Sequence, residues 1–489
     1  MKKLDKLLNY LQEIADNCYI SSLMHWEMDI VAPKKSIDYL ISVKTKIETK
    51  TFELATSKEY KKLLDDVINS KEYNKLSIEE QRYIKELQEE YEKDERVPSK
   101  FYEEYSELRS KTNAIWVEAK KQKDYDIFKP YLEKIINMTK KYYEYRYPNA
   151  NNLYDCMLNE YETDMTSEII DKLFTDLKKE LIPIIKQLKP VKEQKIKQDH
   201  TNEELIKIAK YILNYIGFDN DRGTLGIFPH GYTCKLNNDD VRITLSDNKS
   251  IIDFVTTVIH EGGHGIFEQS VGENLSKFPI YGVGKFALHE SQSRFYENIL
   301  GRNINFWKPI YKDLKKDMKL NMSLESFINN LNQAKPSFIR TQADELTYCL
   351  HIILRYEIEK DLFDNKITVD ELPRIWNEKT KEYLGLEVKD NVDGILQDVH
   401  WSQGNFGYFP SYLIGSILDG MLMKNIEDNL GNINELLASG KITEITNYLK
   451  EKIHKYGGTY TINELTKRLC KTELTVEPLI EYFKEKYMN

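Results

Sequence analysis

The stretch Ser250-Ile251-Ile252-Asp253-Phe254-Val255-Thr256-Thr257-Val258-Ile259-His260-Glu261-Gly262-Gly263-His264-Gly265-Ile266 carries two patterns at once. Ser250 followed three residues later by Asp253 reads as the capped start of a helix. Behind it Ile251, Val255, Val258, Ile259, Gly262 and Ile266 recur at helical spacing and form an apolar stripe. His260, Glu261 and His264 fall off that stripe. Two histidines four apart lie about one turn apart on one face, so both rings can reach a single metal ion. Glu261 lies about 100° around the helix axis from His260, where a carboxylate can take a proton from water. This HEXXH arrangement is what a zinc peptidase needs. The competing reading is two surface histidines on an ordinary amphipathic helix. It is weakened by the scarcity of histidine, nine in 489 residues, and by the motifs downstream. Gly262, Gly263 and Gly265 each cost about 1 kcal/mol against Ala in a helix interior, which implies a packing or access reason for them. Gly262 lies on the apolar side, where a missing side chain lets a neighbouring helix approach.

A catalytic zinc takes three protein ligands and keeps one open position. Glu268 continues the four-residue series, but its Cα would lie about 12 Å along the axis from that of His260. Metal bonds are only about 2 Å long, so the third ligand is expected from another element. Glu290, in Leu288-His289-Glu290-Ser291-Gln292-Ser293-Arg294, is the best candidate, on a second helix after the Gly282–Gly284 break. On spacing alone an exposed glutamate in a charged helix fits that position as well.

The rest of the chain sets bounds. Charged residues make up 30% with mixed sign, and the net charge of -9 argues against a general nucleic-acid binder. Cys18, Cys156, Cys234, Cys349 and Cys470 are scattered, odd in number and form no CxxC pair, so free thiols in a reducing cytosol are expected. The N-terminal Leu4, Leu7, Leu8, Leu11 and Ala15 are spaced for an amphipathic helix, neither a signal peptide nor a membrane span. A cytoplasmic protein is the default.

The fold class read from these patterns is mainly α. Residues from about 1 to 190 read as helices, broken near Ala32-Pro33, Val97-Pro98 and Tyr147–Asn152. From Gly223 to Ser246 the pattern turns short and alternating, which predicts two or three strands, with Asn237-Asn238-Asp239-Asp240 as the turn between the last two. A small sheet ahead of the HEXXH helix can align an extended peptide along its edge. From Ile251 onward helices return, and the metal site and sheet together span about 223–412. No stretch reads as a flexible linker, although a length of 489 residues would by itself suggest two or three domains.

Four further clusters combine polar residues that a helix surface seldom needs together: Asp240–Thr244, Ile339–Asp344, Gly394–Trp401 and Gly407–Tyr412. With the helix motif they form an ordered set: Asp240 to Thr244 as DXRXT, His260 to His264 as HEXXH, His289 to Gln292 as HESQ, Ile339 to Asp344 as IRXXAD, and Gly394 to Trp401 as GXXQDXHW. In this set the chain resembles the thermostable metallocarboxypeptidases of the carboxypeptidase Taq type. Leu23–Glu27 and Tyr154–Thr166 are similar to two more of that family's segments. There are departures: His230-Gly231-Tyr232 stands for the family's HPF, Glu27 for an aspartate, and Thr163-Asp164 for Pro-Gly. They bear on substrate preference more than on mechanism.

The resemblance implies a single, mostly helical catalytic domain over 1–489 with a deep groove, a homodimer, peptide substrates with a free C-terminus, release of single C-terminal residues, and one zinc or cobalt ion per chain. It makes Glu290 the third metal ligand with His260 and His264. Glu261 is then the general base. His400, Tyr408 and Tyr412 are candidate donors to the oxyanion. Arg340 is favoured to bind the substrate carboxylate, with Arg242 as the alternative; pairing with Asp240 is an equally good role for Arg242. His230 is a candidate substrate contact, and Asp344 a candidate for orienting a ligand histidine. The alternatives are a helical zinc oligopeptidase or dipeptidyl carboxypeptidase and, more remotely, an inactive peptide-binding relative.

Overall fold

The HEXXH segment is a helix, Ile251–Glu268, in the computed structural model, which describes residues 2–188, 196, 199–246 and 250–488. Ser250 caps it as expected, its hydroxyl oxygen accepting from the Asp253 amide. Among the described residues there are 22 α-helices and one three-stranded sheet. Eight helices run from Lys3 to Gln187, and the breaks fall at the predicted prolines and at Asn152. Asn152 caps the next helix through the Tyr154 and Asp155 amides. The expected end of this region near residue 190 lies outside the described residues.

The sheet consists of β1 (Gly223–Ile227), β2 (Tyr232–Asn237) and β3 (Asp240–Leu245). β2 and β3 form the expected hairpin about Asn238-Asp239. The chain order does not match the spatial order: β3 is central, and β1 pairs with it in parallel. Val241, Ile243, Thr244 and Leu245 are fully buried, so β3 belongs in the middle. β2 is left as an edge.

The three glycines of the HEXXH helix meet three different neighbours. A Cβ on Gly262 would press on the Leu213 and Ile216 side chains of helix Asn202–Ile216, the close approach expected of it. One on Gly265 would strike Phe218. Gly263 is the tightest constraint, because its Cβ would lie 2.7 Å from the Gln292 carbonyl oxygen and 2.8 Å from Ser293 Cα, both backbone. That backbone belongs to helix Phe286–Arg294, which carries Glu290. On its other side helix Phe409–Leu430 makes a second close crossing at Gly415, where a Cβ would lie 2.8 Å from the Ala287 carbonyl oxygen. The glutamate-bearing helix is thus clamped between two glycines. Helix Glu345–Phe363 lies beneath the same region and is buried along nearly its whole length.

Gly263→Ala must move backbone, whereas Gly262→Ala meets only the ends of side chains. Gly263→Ala is expected to lower the unfolding free energy by about 1–3 kcal/mol, and Gly262→Ala by less. Denaturant titration of both variants checks this; equal losses would remove the helix crossing as the reason for Gly263.

Candidate metal centre

His260 and His264 project from one face of the HEXXH helix, and Glu290 comes from the helix clamped against it. Their ligating atoms all lie within 4.8 Å of one another, the one such group of histidine, cysteine or acidic residues among the described residues. Glu290 Oε2 is 3.9 Å from His260 Nε2 and 3.6 Å from His264 Nε2. Each histidine has its other nitrogen engaged: His260 Nδ1 lies 2.9 Å from Glu297 Oε2, and His264 Nδ1 lies 2.6 Å from His289 Nδ1. The two Nε2 lone pairs are thereby left to converge. Two imidazoles and a carboxylate fit a divalent cation with an open position. Glu268 stays out of the group, as its distance along the helix predicts. It accepts instead from His289 Nε2 at 2.9 Å, completing a line from His264 through His289 to Glu268.

The field at this point favours positive charge. Burial resists a proton on His260, yet the Glu297 hydrogen bond and the charges of Glu290, Glu297 and Glu261 outweigh it and raise the imidazole to about 9. Burial also works against the Glu297 carboxylate, but the hydrogen bond and charge of His260, with Arg302 and Arg294, hold it down to about 2. For His264, burial followed by the neighbouring His289 and His260 keeps the imidazole well below the usual histidine range. Glu261 is buried, and burial raises its carboxyl against the opposing pull of His260 and of the 2.7 Å hydrogen bond from Thr233 Oγ1. Gly231 makes room for it, since a Cβ there would lie 2.6 Å from Thr257 Cγ2 and 3.2 Å from Glu261 Oε1.

These groups open into a cavity of about 1080 Å³, also lined by Arg340, Tyr348, Tyr408 and Tyr412. Arg340 donates from Nε to Asp398 at 2.9 Å and from Nη1 to the Tyr348 hydroxyl at 3.0 Å. Its Nη2 binds no group among the described residues. Arg294 stacks 4.0 Å over the Tyr348 ring and reaches Glu290 Oε1 at 3.6 Å. A packed line, Glu290–Arg294–Tyr348–Arg340, therefore sets the separation of the metal-binding cluster from the Arg340 guanidinium. Arg355 donates to the second oxygen of Asp398 at 2.6 Å, and the two guanidiniums hold that carboxyl far below its ordinary range despite its burial.

Other candidates are placed differently. Arg242 is not brought to the cavity: it grips Asp240 with two hydrogen bonds of 2.9 and 2.8 Å and lies over the Trp26 ring. His230 is exposed and engages the sheet only through its carbonyl, which accepts from Thr244 Oγ1; Gly231 and Tyr232 line the cavity in its place. Asp344 orients no ligand histidine. It caps helix Glu345–Phe363, accepting from the Leu346 and Thr347 amides and the Thr347 hydroxyl. The carboxylate that does hold one of the two motif histidines, His260, is Glu297, which the motif reading missed. Glu297 follows Glu290 by seven residues, two helical turns, a spacing that returns to the same face. There the helix widens to a π-helix over Phe295–Leu300, a form common at functional sites. His400 stands behind the lining, its Nε2 3.3 Å from the Tyr412 hydroxyl. Burial first, then Arg340 and Arg355, depress it to about 4 against the pull of Asp398, so it is neutral.

Paired helix-borne imidazoles, a carboxylate from a crossing helix and a buried glutamate beside them define a helical metal-dependent hydrolase. The chain belongs to the carboxypeptidase Taq (M32) metallopeptidase family, whose model matches residues 6–487. It is 36% identical over 492 residues to Carboxypeptidase 1 of Bacillus subtilis, covering 99% of this chain and 98% of that protein. It is 31% identical over 481 residues to Thermostable carboxypeptidase 1 of Pyrococcus furiosus, covering 96% and 95%. The structure of the M32 carboxypeptidase from Deinococcus radiodurans R1 superposes with a TM-score of 0.94 at 28% identity, covering 100% of both chains. The chain is accordingly a metallocarboxypeptidase, a hydrolase acting on peptide bonds.

Glu297→Gln keeps the shape but weakens the acceptor at His260 Nδ1. Zinc affinity, measured by competition with a chromophoric chelator, is expected to fall about 10–100-fold; an unchanged affinity would relieve Glu297 of that role. Away from the metal, buried His351 is depressed to about 3, chiefly by burial and then by Arg355. Its folded value lies below the unfolded value, so its contribution is complete above about pH 6.5 and is lost as pH falls toward 3, by about 1.4 kcal/mol per unit. His351→Gln is expected to flatten the decline of stability over that window, read from urea midpoints.

Proposed function

We propose that the chain removes single residues from the free C-termini of peptides, with one divalent cation held by His260, His264 and Glu290. Zinc is the expected metal and cobalt the alternative. The observation that carries this reading is Arg340, a buried guanidinium with one free nitrogen in the same cavity as the metal-binding cluster. A guanidinium there suits an α-carboxylate and rejects a blocked C-terminus.

A divalent cation held by His260, His264 and Glu290 would supply Lewis acidity, which polarises a scissile carbonyl and lowers the pKa of a water. Glu261 takes the proton from that water and returns it to the leaving amine, a role that fits a carboxyl raised by burial. Thr233 fixes one Glu261 oxygen and so aims the other. Tyr408 and Tyr412 donate to the oxyanion. A proton on His400 Nε2 leaves the Tyr412 hydroxyl hydrogen free for that purpose. The open edge of β2, whose first residues Tyr232 and Thr233 line the cavity, supports an extended peptide upstream of the cut.

We further infer one catalytic unit that works as a homodimer, on the family resemblance. The cytoplasm is the proposed location: all five cysteines are free, and no helix among the described residues is long and apolar enough to cross a membrane.

A short peptide with a free C-terminus should lose one residue at a time, and its amide should survive. Chelation should stop the reaction and zinc or cobalt restore it. Arg340→Ala is expected to cost about 2–5 kcal/mol in kcat/KM, while Arg242→Ala leaves it near wild type. Dipeptide release or cleavage of the amide would replace this reading with an oligopeptidase or dipeptidyl carboxypeptidase.

A further inference from the structure

Glu359 is fully buried on helix Glu345–Phe363 and touches neither the metal-binding cluster nor the cavity. Its Oε1 accepts from the Trp401 indole Nε1 at 2.6 Å. Its Oε2 accepts from the Gly407 amide at 2.9 Å and from the Tyr154 hydroxyl at 3.0 Å. No cation among the described residues forms an ion pair with it. Arg355, one turn earlier, is taken up by Asp398, Gln397 and the His351 carbonyl. A buried carboxylate met only by neutral donors is costly, and burial raises this one to about 7.

What it holds accounts for its presence. Trp401 directly follows His400, and Gly407 directly precedes Tyr408. The two oxygens of one carboxylate therefore pin both ends of the 401–407 connection, and with them the backbone on either side, which carries His400, the partner of Tyr412, and Tyr408, a proposed oxyanion donor. Gly407 sits at φ 83°, and a Cβ there would lie 2.9 Å from the Met157 backbone carbon, so this end is held from both sides. The third donor, Tyr154, belongs to helix Leu153–Tyr161, whose last residue packs edge-on against the Tyr408 ring at 5.0 Å.

We propose that Glu359 is a positioning residue that sets Tyr408 against His400 and Tyr412 by bridging Trp401 and Gly407; this rests on the oxyanion reading above. The role requires an acceptor on both oxygens. Glutamine has the same shape but turns an amide N–H toward one of the donors.

The test compares Glu359→Gln, Tyr408→Phe and the double variant, each loaded with zinc, on one short peptide. Glu359→Gln is expected to lower kcat about 10–100-fold, the scale of a displacement near 1 Å, with KM and zinc stoichiometry unchanged. If Glu359 acts through Tyr408, the double variant is no more than about threefold slower than the slower single variant. Multiplying effects would overturn the proposal, and so would an unchanged kcat in Glu359→Gln beside a slowed Tyr408→Phe. An unaffected Tyr408→Phe would instead sink the oxyanion reading itself. Should Glu359→Gln fail to fold, Trp401→Phe removes the indole donor alone. The same non-additive loss is then expected, and its absence would count against the proposal.

Discussion

Everything at this centre depends on how closely helix Phe286–Arg294 can be pressed between its two neighbours. Gly263 and Gly415 admit its backbone from opposite sides, at distances where any Cβ would collide. A side chain at either position would push the helix outward by the width of a methyl group. Glu290 Oε2 now lies under 4 Å from both Nε2 atoms, so such a shift is comparable with the whole separation. The helix cost of about 1 kcal/mol per glycine is offset by a geometry that larger residues cannot reach. In this chain, a member of a metallocarboxypeptidase family, the three residues that could hold a metal come from two crossing helices rather than one.

Around that crossing the charges are arranged in depth. Glu297, with Arg302 and Arg294 behind it, fixes His260, while His289 and Glu268 fix His264. The line from Glu290 through Arg294 and Tyr348 to Arg340 couples the metal-binding cluster to the guanidinium. Asp398 in turn holds Arg340 and Arg355 together. Helix Glu345–Phe363 is the platform beneath: Tyr348, Arg355 and Glu359 all rise from it, and Asp344 caps its start. Its burial on nearly every side is why so many polar groups on it are paired.

Much of this was legible in the residues. The apolar stripe from Ile251 to Ile266 announced the HEXXH helix, and the histidine pair that meets Glu290 was visible as its complement. Glycine and asparagine turns marked the strands, though not that β1 would lie parallel to β3, because pairing across a connection leaves no local pattern. Arg242 and Arg340 could not be separated by sequence: each is an arginine in a polar motif, and only Asp240 and Trp26 on one side, and the cavity on the other, distinguish them. Asp344 looked like a partner for histidine because its motif was polar; its capping role follows from its place directly before a helix. Glu297 had a readable signal, seven residues after Glu290. It was passed over because the π-helical widening that aims it at His260 has no signature in residue type.

The most direct measurement is the metal content of the purified chain and of Glu290→Gln after chelation and reloading, with the visible spectrum of the cobalt forms. One tightly held cation per wild-type chain is predicted. With Glu290→Gln, metal should be lost or weakly held and the cobalt spectrum changed. A Glu290→Gln chain that held its metal as tightly, with the same spectrum, would show that the third ligand lies elsewhere and that the glycine-clamped crossing does not build the site.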